Sequence, residues 1–215
     1  MTPKPRVSRE VPTAESLLAT VQPETARRLL QSALDRFAKV GYHATTTRDI
    51  CTGALLSPAA LYVHYASKED VLFHLSQIAH VGALATLENA LGPDLEMDPG
   101  DRMEAVVSAF TSWHLHHVAL ARVAQYELHT LTPTHYNEVT AIRRQTERLI
   151  EEEIGRGVLS GDFDVTDVRG ATRAVLALCV DVVRWFQPDR DSAVHAIARS
   201  HGTLARRMLG QRLRT

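Results

Sequence analysis

Between Ser57 and Lys68 the chain reads SPAALYVHYASK. Tyr62, His64 and Lys68 supply a phenol, an imidazole and an ammonium, groups that bind phosphate oxygens. Ser57 and Pro58 open the segment as they would open a helix, whose free N–H groups can face a phosphate or a base edge. Ala59, Ala60 and Val63 are small or apolar, which suits contact with thymine methyl groups. Upstream, Thr46, Thr47 and Arg48 add two hydroxyls and a guanidinium, the last suited to guanine or phosphate. This chemistry grips nucleic acid and breaks no bond. The chain has no GxSxG, no phosphate-cradling glycine loop and no Cys/His nucleophile arrangement, so neither an enzyme nor a bound cofactor is expected.

Each residue also has a plainer reading. Tyr62 and Tyr65 can pack on the preceding helix, His64 can cap or pack, and Lys68 alone can be a solvated charge. Cys51 reads as a small core residue. A second histidine group, His114, His116 and His117 with His129 and His135, invites a metal. Zinc needs three or four convergent ligands, and the chain has neither HExxH nor a Glu-x-x-His pair, so no metal site is expected. Trp113, His117, Tyr126 and His129 read instead as lining of an apolar pocket, or as core. Arg122, Arg143 and Arg144 are candidates to meet an anionic ligand or to form a solvated face.

The elements that must hold these groups follow from hydrophobic spacing. Helix 1 is predicted over 23–40, with Ala26, Leu30, Ala33, Leu34, Phe37 and Ala38 as its apolar stripe, Pro23 as its first residue and Gly41 just beyond its end. Helix 2 starts at Thr46 or Thr47 with an Asp49 capping box and runs to about Leu55. Helix 3 runs from Ser57 to about His64. Helix 4 starts after the Ser67 cap and stops at Gly92-Pro93. The loop LGPDLEMDPGD then breaks the chain. Helices follow over 102–117, 119–129, 133–157, 168–186 and 191–209. The organisation read from this is a flexible arm over 1–22, basic through Lys4, Arg6 and Arg9, a head over 23–70, and a body over 71–215 with helix 4 as connector. The fold class is all-α: a three-helix helix-turn-helix head on a larger helical bundle.

Composition sets bounds. Hydrophobic residues make up 45% of 215, ample for a core. Residues 1–70 carry nine Lys and Arg against seven Asp and Glu, and the whole chain has a net charge of −1, so the remainder is net acidic. Two distant cysteines give no disulfide framework. No apolar run is long enough to span a membrane, and the N-terminus does not read as a signal peptide. A cytoplasmic protein is expected.

The head residues Phe37, Gly41, Tyr42, Thr46, Arg48, Ile50, Ala54, Ser57, Leu61, Tyr62, His64, Tyr65, Lys68 and Leu72 stand in an order and spacing that resembles the TetR family of one-component bacterial regulators. The match covers about residues 24–75. The resemblance implies that helix 3 enters the major groove, that Tyr62, His64 and Lys68 hold phosphates, and that Leu61, Ile50, Ala54 and Phe37 form the small core. One residue departs from the family, which usually has Gly where this chain has Leu55. A positive φ there costs a Leu about 1–2 kcal/mol, so the expectation is a diverted turn or a tilted helix 3.

The last two helices resemble the family's dimerisation pair, which implies an interface from Val175, Val182, Phe186, Val194, Ile197, His201, Leu204 and Met208. Trp185 joins the pocket set. Arg184-Trp185-Phe186-Gln187-Pro188, with His116-His117, Tyr126-Glu127 and Leu131, is similar to a subgroup that responds to acyl-CoA thioesters. The implied protein is a homodimeric repressor on a palindromic DNA operator, released by a small hydrophobic or acyl-CoA-like effector. The alternative is a helical small-molecule- or metal-binding protein whose head does not bind specific DNA.

Overall fold

The computed structural model describes residues 17–92, 97–188 and 193–210. Among them there is no strand. Lys4, Arg6 and Arg9 of the expected arm lie outside the described residues. The arm's last part is not free of the fold: Leu18 is buried, and Leu17 lies over Gly82 of the connector helix beside Trp113.

Helix α1 spans Glu24–Val40. It buries Ala26, Leu29, Leu30, Ala33, Leu34 and Phe37, the i, i+3, i+4, i+7 stripe of an amphipathic helix. Ala38, expected in that stripe, is exposed. Each i+4 step advances about 40° around the axis, so the 30-34-38 row has rotated out of the core by its third member. Pro23 is the N-cap and not the first helical residue: its backbone is extended and its carbonyl accepts from Ala26 N–H at 2.9 Å. Gly41 takes φ 86° just past the C-terminus.

Helix α2 spans Thr47–Gly53 behind a reciprocal capping box between Thr46 and Asp49. Ser32 Oγ donates to Ile50 O at 2.7 Å and ties α2 to α1. The approach is close enough that a Cβ on Gly53 would meet Ser32 Oγ at 2.3 Å. Leu55 itself takes φ 55° with its side chain 84% exposed. The expected diversion does not occur: Leu55 adopts the left-handed conformation directly, held by Leu55 N–H to Thr52 O (3.0 Å) and Leu56 N–H to Cys51 O (2.9 Å). Helix α3 spans Pro58–His64, with Ser57 at the N-cap but no side-chain cap bond.

Helix α4 spans Lys68–Leu91, capped by Ser67 Oγ accepting from Asp70 N–H. Its buried residues, from Val71 and Leu72 to Leu87 and Leu91, occur around most of its circumference, because it packs on α1 and on three helices of the body. Those are α5 (Pro99–His116), α6 (Val118–Tyr126) and α7 (Pro133–Leu159). The start of α5 precedes the expected residue 102, because Asp98 caps and Pro99 fills the first turn. His117 separates α5 from α6, and a 3-10 turn over Leu128–Thr130 precedes α7.

The apolar stretch 168–186, expected as one helix, divides into α8 (Val168–Val180) and α9 (Val182–Trp185). At Asp181 the ladder tightens, with Arg184 N–H bonding back only three residues to Asp181 O. Helix α10 spans Val194–Met208 and packs chiefly on α5. Gly202 permits this: a Cβ there would lie 2.6 Å from the Glu104 carbonyl oxygen.

Candidate nucleic-acid interface and effector cavity

The head offers one exposed face around α3. Ser57, Pro58 and Ala59 are exposed and Ala60 is partly so. Tyr62 is 60% and Val63 76% exposed, an unusual placement for two apolar-bodied residues on one short helix. Arg48 is exposed on α2, with Thr47 beside it. These residues share a surface because Leu61 points the other way, fully buried between α3 and α1.

Other candidates have prior commitments. The Thr46 hydroxyl donates to Asp49 Oδ2 at 2.7 Å and accepts from Asp49 N–H at 3.1 Å. The Thr46 hydroxyl and then the Thr46 backbone N–H, which donates to the same oxygen at 2.9 Å, lead the causes that hold the Asp49 carboxyl below its usual range. Arg36 faces the same carboxylate at 3.2 Å. Tyr65 is buried and donates to Ala26 O at 3.2 Å, its phenol pushed up to about 12 by burial and then by Asp70. His64 is half-buried. Lys68 differs most from a solvated or phosphate-seeking charge. Its Nζ donates to Tyr42 O at 2.9 Å and Thr45 O at 2.7 Å and lies 4.1 Å above the Tyr42 ring. Burial lowers its pKa, with Glu127 opposing. Its first partner is therefore the α1–α2 loop.

In the body, a cavity of about 30 Å³ is bounded by His80 and Ala83 of α4, Trp113 and His114 of α5, Ala124 of α6 and Val180 of α8. An open groove of about 450 Å³ adjoins it, sharing Gln125 and Val180 and bordered by Tyr126, Arg143, Glu147 and Arg173. Burial pushes both His80 and His114 down to about 4, so both rings are neutral at neutral pH. Each donates Nδ1–H to the carbonyl four residues back, Ser76 O at 2.7 Å and Phe110 O at 2.8 Å. Arg143 Nη1 donates to Gln125 Oε1 at 3.2 Å at the mouth.

The expected pocket set is only partly assembled. Trp113 lines the cavity and Tyr126 the groove. His117 is stacked behind Trp113 at 4.5 Å between ring centroids. His129 is exposed and stacks on Tyr136. Trp185 sits on α9 with half its surface exposed, away from both spaces. Arg122 is committed to Val183 O through Nε (3.0 Å) and Nη2 (2.6 Å). His80 and Gln125 went unrecognised in the sequence, since lone residues on helices of mixed character carry no spacing signal. Among the described residues, no group of three His, Cys, Asp or Glu side chains is placed to hold a metal ion.

The expected dimer set also needs correction. Val175, Val182 and Phe186 are buried within this chain's own core and cannot face a partner. The 168–186 stretch is apolar on two sides, and these three residues take the inner one. Val194, Ile197 and His201 are half-buried, the last with its ring 6.5 Å from that of Trp185 of α9, whereas Leu204 and Met208 are exposed on α10. No helix among the described residues is long and apolar enough to cross a membrane.

Comparison with known proteins agrees with this geometry. Residues 29–75 match the family described as bacterial regulatory proteins, tetR family. Residues 96–209 match the tetracyclin repressor-like C-terminal domain. The HTH-type transcriptional repressor KstR2 of Mycobacterium tuberculosis is 27% identical over 162 residues, 74% of this chain and 80% of that protein. A solved tetR-family regulatory protein from Rhodococcus RHA1 is 38% identical with a TM-score of 0.84, covering 89% of this chain and 100% of the other. The structure of AibR in complex with isovaleryl coenzyme A and operator DNA shares the fold at 18% identity and TM-score 0.74, over 84% of this chain and 97% of the other.

Proposed function

Because this chain belongs to the TetR family of bacterial regulatory proteins, we propose that it is a transcriptional repressor that binds a palindromic operator as a homodimer and leaves it when a small effector enters the body. The observation that carries the reading is the α2–α3 face. Arg48, Ser57, Pro58, Ala59, Tyr62 and Val63 are solvent-facing, while the packing duties fall to Leu61, Tyr65 and Lys68. A short helix reads few bases, so two heads about 34 Å apart supply the specificity. The exposed surface of Trp185, Leu204 and Met208 is the surface for the second copy. The protein acts in the cytoplasm, without catalysis, cofactor or metal.

The effector reading rests on the groove and the adjoining cavity. Arg143 and Arg173 at the groove suit an anionic, coenzyme A-like group, and the alanine-lined interior suits its acyl part. The fold shared with AibR, solved with isovaleryl coenzyme A, supports this class. Helices α4 and α6 border the cavity and also pack on α1 of the head. An effector that prefers one arrangement of α4 and α6 thereby shifts the heads, by no more than its differential affinity, commonly about 1–3 kcal/mol. The test is an unbiased selection of duplex DNA by the purified protein at physiological salt. Enrichment of a palindrome with half-sites about one helical turn apart is expected. No enriched sequence would return the chain to the reading of a binding protein whose head is unused.

A further inference from the structure

The row of α3 that faces straight away from the core is apolar. Leu61 is 0% exposed and sets the inward direction of the helix. Each residue turns the chain by about 100°, so Ala59 and Val63, two residues to either side, lie within about 20° of the outward direction. Their exposure agrees: Ala59 is exposed, and Val63 at 76% exceeds Tyr62 at 60%. Tyr62 and Ala60 stand on the two flanks, about 100° from Leu61, and Ala60 is only partly exposed. No residue of α3 is Asp, Glu, Asn, Gln, Lys or Arg.

Residues 29–75 match the regulatory family's model, so the occupant of this face is duplex DNA. A methyl and an isopropyl group neither donate nor accept hydrogen bonds. Against guanine, cytosine or adenine they strip water from polar base edges and return nothing. Thymine is the base that presents a methyl group in the major groove. Ala59 and Val63 are about 6 Å apart along the helix axis, the span of about two base-pair steps. The polar groups sit to the side of this row, with Tyr62 on a flank of α3 and Arg48 exposed on α2. Without a carboxylate, α3 does not repel the phosphates.

We infer, building on the regulator reading, that α3 recognises its half-site by the 5-methyl groups of two thymines, with Ala59 and Val63 as the specificity-determining residues.

The test selects duplexes with the full chain from two random pools, one made with thymine and one with uracil, which lacks only the methyl group. The thymine pool is expected to yield half-sites with two thymines about two steps apart. Uracil in place of either one, in one half-site, is expected to weaken binding about fourfold, the worth of one buried methyl group. The uracil pool is expected to yield no duplex of comparable affinity. Val63→Ala is expected to bring the cost of one of the two uracils below about twofold and to leave the other, and Ala59→Gly the converse. Both positions are exposed, and far-UV dichroism checks that the variants keep their helices. Half-sites without thymine, uracil duplexes bound as tightly as thymine ones, or a penalty that neither variant removes overturns this inference and spares the regulator reading. No enriched sequence in either pool overturns the regulator reading and this inference with it.

Discussion

Glu69 and His135 join the head to the body. His135 Nδ1 lies 2.9 Å from Glu69 Oε1, and the same carboxylate oxygen accepts from Thr132 N–H at 2.8 Å. The His135 ring lies flat on Phe73, with centroids 3.9 Å apart. One side chain from the first turn of α4 thus serves the first turn of α7. Glu69→Ala is expected to cost about 1–2 kcal/mol of stability and to speed hydrogen exchange at the Thr132 amide. Urea unfolding and exchange measurements check both, and unchanged exchange would show that the contact restrains nothing.

Lys68 and Tyr62 separate structure from DNA contact. Lys68 binds two backbone carbonyls of its own chain, so Lys68→Met is expected to lower stability by about 1–2 kcal/mol. Tyr62 is exposed and has no comparable commitment, so Tyr62→Ala leaves stability within about 0.5 kcal/mol. It weakens binding to all DNA sequences alike. Arg48→Ala costs about 1–3 kcal/mol of operator affinity. Thermal melts beside DNA titrations over a range of salt distinguish the three variants.

Leu55 holds φ 55° with an exposed side chain. A left-handed Leu is strained by about 1–2 kcal/mol, part of which a glycine returns through its freer unfolded chain. Leu55→Gly is therefore expected to stabilise the protein by about 0.5–1 kcal/mol and raise its Tm by a few degrees, which calorimetry detects. A lower Tm would mean that the Leu side chain packs to some purpose.

His80 and His114 give stability a pH dependence with a definite sign. Both are lowered to about 4 in the fold by burial, against 6.5 for the ordinary group. The unfolded chain therefore binds more protons between those values, and stability rises with pH. The contribution is complete above about pH 6.5 and is lost as pH falls toward about 4, at most about 3 kcal/mol for the deeply buried His114. Urea midpoints across this range are expected to fall in the native chain and to fall less in His114→Leu.

Leu204 is exposed on α10, so Leu204→Glu places a charge in the proposed dimer surface without disturbing the protomer's core. Sedimentation is expected to show a monomer with an unchanged helical spectrum. A persisting dimer would move the interface elsewhere.

Much of the head was legible because its signals are local. The Thr46–Asp49 box, the Ser67 cap and the Gly41 stop act within a few residues, so sequence alone placed α2, α3 and α4 nearly to the residue. The same locality limited the reading of Lys68. As one charge in a sequence it looks solvated, and only the fold brings the Tyr42 and Thr45 carbonyls to its ammonium.

For the body, the sequence determined that 168–186 is apolar on more than one side. It did not determine which side turns inward, because that depends on where α5, α6 and α10 lie. The structure assigns Val175, Val182 and Phe186 to the protomer's interior and leaves Leu204, Met208 and Trp185 outside. The cavity is the extreme case. His80, Trp113 and Gln125 come from three successive helices and meet only through packing. Periodicity fixes which residues share a face of one helix, whereas the meeting of faces is a property of the whole fold.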